Sequence, residues 1–462
     1  MSRLLSTIVL AWVLTTLGAG VAQASPSQAM IFDAQRELLD PSTRDAAMTE
    51  LESLGVRHVR VLLTWKDVAP TPEATSTPGG DLSDPAAGYD WSRYDGAMEA
   101  LKARGWDVLM TVTLPGPKWA MSGKKDFLTR PSPTQFGRFV TAASRRYGEQ
   151  VGQWAVLNEP NHPDFLLPQY DSKKRPKSPG IYRKLFQAAD RALRSTGNGD
   201  DTLLIGETAP RGTGKVVAPL TFLRGTLCLN SKYRKRSSCG RLNADGWAHH
   251  AYTTKAGPFF EPPGKNDVTI GVLSRLNSAI AKAERARAMP RNTPIYLTEF
   301  GIQSTPDRVL GVSLAKQPIY RAISERLAYS NKRVKAFSQY LLRDDLPREG
   351  VPTSQRYGGF DSGLRFSTGG AKPSLLGFKL TLAAFRDGRS RTSLWGLVRG
   401  AGKTSVTVQY QDKGGRGFKR LKTVRTNARG YFTLRTSYRG GRRYRLSHDG
   451  QNGPATGSYT RP

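Results

Sequence analysis

Eight short apolar runs, each followed by a stretch of helical spacing, succeed one another between residues 29 and 341. The runs fall at 29–32, 56–65, 106–114, the start of WAVLNEPNH (154–162), 202–206, 246–252, 295–299 and 334–341. Helical patterns fill 42–54, 91–104, 132–147, 181–194, 217–227, 268–286, 314–329 and 375–385, with Gly55, Gly105 and Gly148 as stop signals. Strand and helix in strict alternation predict parallel strands joined by helical crossovers, and eight such units predict a closed (β/α)8 TIM barrel. An open doubly wound sheet would need a Gly-rich turn after the first strand, where this chain reads DAQREL. The loop 66–88, rich in Pro, Thr and Gly, is too long for a simple connector and reads as a site rim. After residue 386 the rhythm changes to short alternating runs between Gly-rich turns, about ten residues apart, which predicts an all-β sandwich. The expected division is a barrel over 25–385 and a small β-sandwich domain over 386–462.

The first 24 residues stand apart. Arg3 precedes an apolar run over 4–17, and Ala22-Gln23-Ala24 supplies small residues for cleavage. That is the pattern of a secretory signal peptide, and the run is shorter than the roughly 20 apolar residues that a membrane span needs. The expected address is secreted, extracellular or cell-wall associated, with no integral membrane span. Export favours a disulfide between the two cysteines, Cys228 and Cys239, over two unpaired thiols. Two cysteines without spaced histidines do not make a structural zinc site, so no metal and no cofactor is expected. The formal net charge is +33, and the last 77 residues carry 18 Lys+Arg against 3 Asp. Outside a cell this points to an anionic partner, a wall polymer or acidic polysaccharide, rather than nucleic acid, for which no motif is present.

In a barrel of this kind the chemistry gathers at the carboxyl ends of the strands. Read together, those ends offer Arg60 and Trp65, Trp119 just past strand three, Asn158 and Glu159, Glu207, His249, His250 and Tyr252, and Glu299. Glu159 and Glu299 lie 140 positions apart (299 − 159), each closing an apolar strand. Two carboxyl groups among aromatic rings, an amide and an imidazole suit a sugar: ring faces stack on pyranose faces and polar edges meet hydroxyls. Glycosidic cleavage needs one carboxyl group as acid and one ionised as nucleophile or base. Adjacent strand residues face opposite ways, so His250 shares its side with Tyr252 and His249 is expected in the core. Glu207 reads as a structural partner of a nearby Arg such as Arg211, and Asn161 and His162 as possible lining.

Taken as a set, NEP at the end of strand four, LTEFG at strand seven, Arg60 and His250-Ala-Tyr252 resemble clan A of the glycoside hydrolases, the cellulase-like (β/α)8 retaining enzymes. The resemblance covers roughly residues 28–385. It implies that Glu159 is the acid/base, Glu299 the nucleophile, Asn158 a contact to the substrate 2-hydroxyl, and Arg60, His250 and Tyr252 supports of the nucleophile and the sugar. Many clan members place a Trp at the end of strand eight; here that strand reads AFSQYLLRDD, with Gln339-Tyr340. The tail weakly resembles β-sandwich modules of secreted hydrolases.

The function expected is hydrolysis of a β-linked glycan or glycoside with retention, by two glutamates. The alternatives are a non-catalytic carbohydrate-binding or wall-associated protein on a degenerate barrel, and a transglycosylase.

Overall fold

A computed structural model describes residues 28–236, 239–352 and 355–460; the signal peptide expected over 1–24 lies outside them. Eight parallel strands close a barrel in chain order: β1 (Ala29–Asp33), β2 (His58–Thr64), β3 (Asp107–Thr113), β4 (Gln153–Val156), β5 (Thr202–Thr208), β6 (Gly246–His250), β7 (Ile295–Glu299) and β8 (Val334–Tyr340). Pairing of β1 with β8, from Ala29 against Ala336 to Asp33 against Tyr340, shuts it. Around it run α1 (Gln35–Leu39), α2 (Arg44–Ser53), α3 (Trp65–Val68), α4 (Ser92–Ala103), α5 (Pro133–Tyr147), α6 (Ser178–Ser195), α7 (Pro219–Thr226), α8 (Leu273–Arg285), α9 (Lys316–Ser330) and α10 (Pro373–Lys379).

The period-two rule sorts each strand. Val59, Val61 and Leu63 of β2 pack outward with the helices, as do Trp154 and Val156 of β4 and Trp247 of β6. The inner layer is filled by aliphatic side chains, Ile31, Leu109, Ala155, Leu204, Ala248 and Ala336. That plug closes the barrel, so polar residues further along the same strands can occupy only the carboxyl end. Ser132 caps α5, accepting from the Gln135 amide at 3.4 Å, with Pro133 opening the helix.

The sandwich has a three-stranded sheet, β9 (Leu380–Asp387), β10 (Arg391–Val398) and β13 (Tyr431–Ser437), in the order β13-β10-β9. The second sheet holds β11 (Ser405–Gln411), β12 (Lys419–Arg425), β14 (Arg443–His448) and β15 (Gln451–Asn452), with β16 (Thr456–Gly457) paired to β14. Their common core is Leu382, Ala384, Leu394, Val406, Val408, Tyr444 and Leu446, among others.

One expected element changes type. The helix expected over 375–385 ends at Lys379, and Leu380–Asp387 is the first sandwich strand. The cause is burial on both sides. Leu380, Leu382 and Ala384 face the sandwich core, while Ala383 and Phe385 face α9 of the barrel. A strand buried on both faces loses its polar alternation and cannot be told from a buried helix by pattern. Gly55 marks the same junction. Its φ is +71°, and a Cβ there would stand 2.6 Å from the backbone nitrogen of Gly400.

Candidate active site

Arg60 stands at the centre of the barrel mouth. Its side chain is fully buried on β2, pointing inward above the plug. Nη2 donates to Glu207 Oε2 at 2.8 Å and to Asn158 Oδ1 at 2.8 Å. Nε donates to Glu207 Oε1 at 3.0 Å and to Thr111 Oγ1 at 3.1 Å. Nη1 reaches Asp33 Oδ2 at 3.1 Å and Glu299 Oε1 at 2.6 Å. A planar fork with five donors is thus shared among β1, β3, β5, β7 and the loop after β4. Burial works against the guanidinium charge, but Glu207, Glu299 and Asp33 outweigh it. Glu207 therefore pairs with Arg60 and not with the Arg211 expected from sequence proximity. The structural role stands; the partner comes from across the barrel.

Glu299 ends β7 with its second oxygen, Oε2, accepting from the Tyr252 hydroxyl at 3.0 Å. His250 Nδ1 lies 3.0 Å from Glu159 Oε1 and 3.5 Å from Glu299 Oε2, bridging the two carboxyl groups. One oxygen of Glu159 and one of Glu299 come within 4.8 Å of each other. The backbone that presents Glu159 is left-handed at two non-glycine residues, Leu157 (φ 59°) and Glu159 itself (φ 39°). Each such residue costs about 1–2 kcal/mol, and such strain gathers at functional sites. It is held by the Glu159 amide donating to the Glu207 carbonyl at 3.0 Å and the Asn158 amide to Thr113 Oγ1 at 3.0 Å. Glu207 has the same left-handed turn (φ 48°), which lifts its side chain toward Arg60.

The electrostatics separate the acids. Burial alone pushes the Glu299 carboxyl up. The charges of His250 and Arg60, with hydrogen bonds from Arg60 and Tyr252, more than reverse this and hold it below the usual range. Asp33 shares Arg60 Nη1 with Glu299 but lacks the other donors. Burial, aided by the Glu299 charge, pushes it up to about 7 against the pull of Arg60. His250 is raised: burial opposes its charge, but Glu299 and Glu159 prevail. Burial and Glu299 push the Tyr252 hydroxyl up, so it stays a donor.

Of the residues expected at the site, Arg60, Asn158, Glu159, His250, Tyr252 and Glu299 come together. Trp65 and Trp119 do not. Trp65 is fully buried in α3, stacked on Phe139 at 5.3 Å and edge-on to Trp119 at 5.8 Å. Trp119 is 4% exposed and donates Nε1 to the Pro70 carbonyl at 3.1 Å. Both brace the long rim loop from below, with no ring face free for a sugar. His249 is buried on the opposite side from His250, between Thr208 Oγ1 (2.8 Å) and the Val268 carbonyl (2.9 Å). Asn161 is buried, tying Ala209 to Val217, and His162 is half-buried in the loop beyond Glu159. Gln339 is turned away and accepts from Arg321 Nε at 2.8 Å. The mouth end of β8 is Tyr340, edge-on to Tyr252 at 6.4 Å and to Phe360 at 4.9 Å. Asp33 and Phe360 were not singled out in the sequence. Asp33 ends β1, and the strand-end rule that found the others applies to it equally.

Fold and mouth together define a (β/α)8 barrel carrying two facing carboxyl groups, a bridging imidazole and a buried arginine. No protein-family model matches the chain, and no curated protein matches it in sequence. Solved structures match in fold. One is a family 39 glycoside hydrolase from the gut symbiont Bacteroides cellulosilyticus, with TM-score 0.56, 16% identity, and cover of 92% of this chain and 81% of that one. Another is a glucosidase from Croceicoccus marinus, with TM-score 0.52, 13% identity, and cover of 91% and 94%. At such identities the likeness is one of fold.

Proposed function

We propose that the protein is a secreted retaining β-glycoside hydrolase, with Glu299 as nucleophile and Glu159 as acid/base. The observation that carries the reading is the unequal setting of two carboxyl groups that approach within 4.8 Å. Retaining enzymes hold the two carboxyl groups about 5–5.5 Å apart and inverting enzymes about 6.5–9.5 Å; facing oxygens within 4.8 Å, both reached by His250 Nδ1, support the shorter spacing. Glu299 is kept ionised by Arg60, His250 and Tyr252, as attack on an anomeric carbon requires. Glu159 is 16% exposed at the side chain, on the open side of the mouth, where a leaving group departs and a water enters. In the first step Glu299 Oε2 bonds the anomeric carbon while Glu159 protonates the leaving oxygen. In the second, Glu159 takes a proton from water, which displaces Glu299. Asn158 Oδ1 is held by Arg60, which orients the amide, and its Nδ2, without a hydrogen-bond partner among the described residues, is available to a sugar hydroxyl. Tyr340, Tyr252 and Phe360 supply the aromatic wall that Trp65 and Trp119 do not. The Cys228–Cys239 bridge suits an oxidising compartment. No helix among the described residues is long and apolar enough to cross a membrane.

Glu159→Gln tests the acid. Turnover of a panel of β-linked aryl glycosides and polysaccharides is expected to fall about 10²–10⁴-fold, least for substrates with good leaving groups. Equal loss across leaving groups would remove Glu159 from this role. Product analysis with an added acceptor sugar separates hydrolysis from transglycosylation.

For the basic domain we propose contact with an acidic polysaccharide through the outer face of the five-stranded sheet. Register places Arg420, Thr423 and Arg425 of β12, Thr407 and Gln409 of β11, and Arg443 and Arg445 of β14 on that face. The contacts Thr407–Thr423 (3.3 Å) and Arg445–Gln409 (2.7 Å) agree with this. Retention on a carboxylated polysaccharide is expected at low salt and to be lost near 0.5 M, where screening is strong. Retention that Arg420→Ala with Arg443→Ala leaves intact would sink the idea.

A further inference from the structure

At the other end of the barrel, where helices return to strands, lies a cavity of about 690 Å³. Five arginines line it: Arg285 from the last turn of α8, Arg287 and Arg291 from the loop into β7, Arg333 from the loop into β8, and Arg241 from the loop into β6. Glu284 is the one carboxylate among the lining residues, and it is already engaged. Arg333 Nη1 and Nη2 take its two oxygens at 2.7 and 2.9 Å, and the Thr293 amide donates to it at 2.9 Å. Arg285, Arg287 and Arg291 are exposed and form no ion pair among the described residues. Among the described residues Arg241 reaches only as far as Asn243 Oδ1, at 3.4 Å.

The neighbouring chain adds charge of the same sign. The loop closed by Cys228 and Cys239 presents Lys232, Arg234, Lys235 and Arg236 to solvent. Its Tyr233 ring lies under Lys282 of α8 (5.3 Å) and Arg224 (5.5 Å), which places that loop beside the cavity. Like charges gathered around one cavity repel, by about 1 kcal/mol for a pair 4 Å apart even in water. A bound anion would relieve that repulsion. A carboxylate accepts one guanidinium fork, whereas a phosphate group has more oxygens and about −1.5 to −2 charge, so it can engage several. The volume exceeds the needs of one such group.

We propose that this cavity is a binding site for a ligand bearing two or more linked phosphate groups, at the end of the barrel remote from Glu159 and Glu299. The site is independent of the glycosidase reading, because none of its residues reaches the mouth.

Isothermal titration of the full-length protein with inorganic tripolyphosphate tests it, with orthophosphate and sulfate as comparison probes. About one tripolyphosphate is expected per chain, bound at least about tenfold more tightly than orthophosphate or sulfate. Arg285→Ala with Arg291→Ala should weaken this at least about tenfold, while Lys419→Ala with Lys422→Ala, which removes equal charge from the sandwich, should change it less than about twofold. All four positions are exposed, so melting temperatures should be unchanged and should verify folding. Equal weakening by both double variants would reduce the effect to net charge and overturn the proposal. So would no preference for the linked phosphates.

Discussion

Glu299→Gln is expected to lower turnover on any true substrate by at least about 10⁴-fold, the scale on which removal of a nucleophile acts, while leaving the fold intact. The two halves of that expectation have separate causes. The amide is isosteric: its one oxygen can still accept from Arg60, and its NH2 can donate to the Tyr252 hydroxyl oxygen, but it cannot form the covalent sugar ester. Arg60 would keep Glu207 on two nitrogens and Asp33 on a third, so its charge would remain paired. Asp33, relieved of the Glu299 charge that helps push its carboxyl up to about 7, would ionise more readily and replace the lost charge at Nη1. Stability at pH 7 is therefore expected to change by less than about 1 kcal/mol, since replacing one member of a crowded acidic set can be neutral or favourable. Kinetics on the panel, urea unfolding, and mass spectrometry of the wild type with a mechanism-based fluorosugar check it. Near-native turnover in the variant, or a label on another residue, would remove Glu299 from the nucleophile role.

The carboxylate pair was readable because a strand-end glutamate is a local pattern: an apolar run, one acid, then a turn. The barrel was readable for the same reason, repeated eight times. Arg60 was visible as a strand residue, but its hold on Glu207 was not. That contact joins positions 147 apart in sequence, and sequence proximity suggested Arg211 instead. Trp65 and Trp119 show a second limit. An aromatic near a strand end serves equally as sugar platform or as packing under a loop. Here Phe136 and Phe139 of α5 supply partners for Trp65, a choice made by tertiary packing alone. A third limit is Leu380–Asp387, whose alternation is erased because each of its faces meets a different domain. Tyr340 is the reverse case. Gln339 and Tyr340 together stood out only as a missing Trp, and the alternation of β8 turns Tyr340 to the mouth and Gln339 toward α9.

That turn of Gln339 begins a buried chain of polar contacts between the barrel and the sandwich. Arg321 of α9 donates to Gln339 Oε1 at 2.8 Å and to Glu325 Oε2 at 3.1 Å. Arg399, just past β10, donates Nη2 to both Glu325 oxygens at 2.6 Å and Nε to the Phe378 carbonyl at 2.9 Å. Glu325 is 1% exposed and neutralises two buried guanidiniums at once. Glu325→Ala is therefore expected to destabilise the protein by about 3–5 kcal/mol, because it strands buried charges rather than deleting a pair. Glu325→Gln should recover part of that loss through its remaining acceptor. The pH dependence follows from the same contacts. Burial pushes the Glu325 carboxyl up, but Arg399 and Arg321 outweigh it and hold it below its ordinary value. A depressed folded value contributes stability that is full above the unfolded range near 4.5 and is lost as pH falls through the folded value. The wild type should thus lose stability on acidification below that range, and Glu325→Gln should lose less. Chemical unfolding at pH 7 and pH 4 measures both. If Glu325→Ala left the midpoint unchanged, the buried network would not join the domains, and the sandwich would be a module carried beside the barrel rather than a part of its structure.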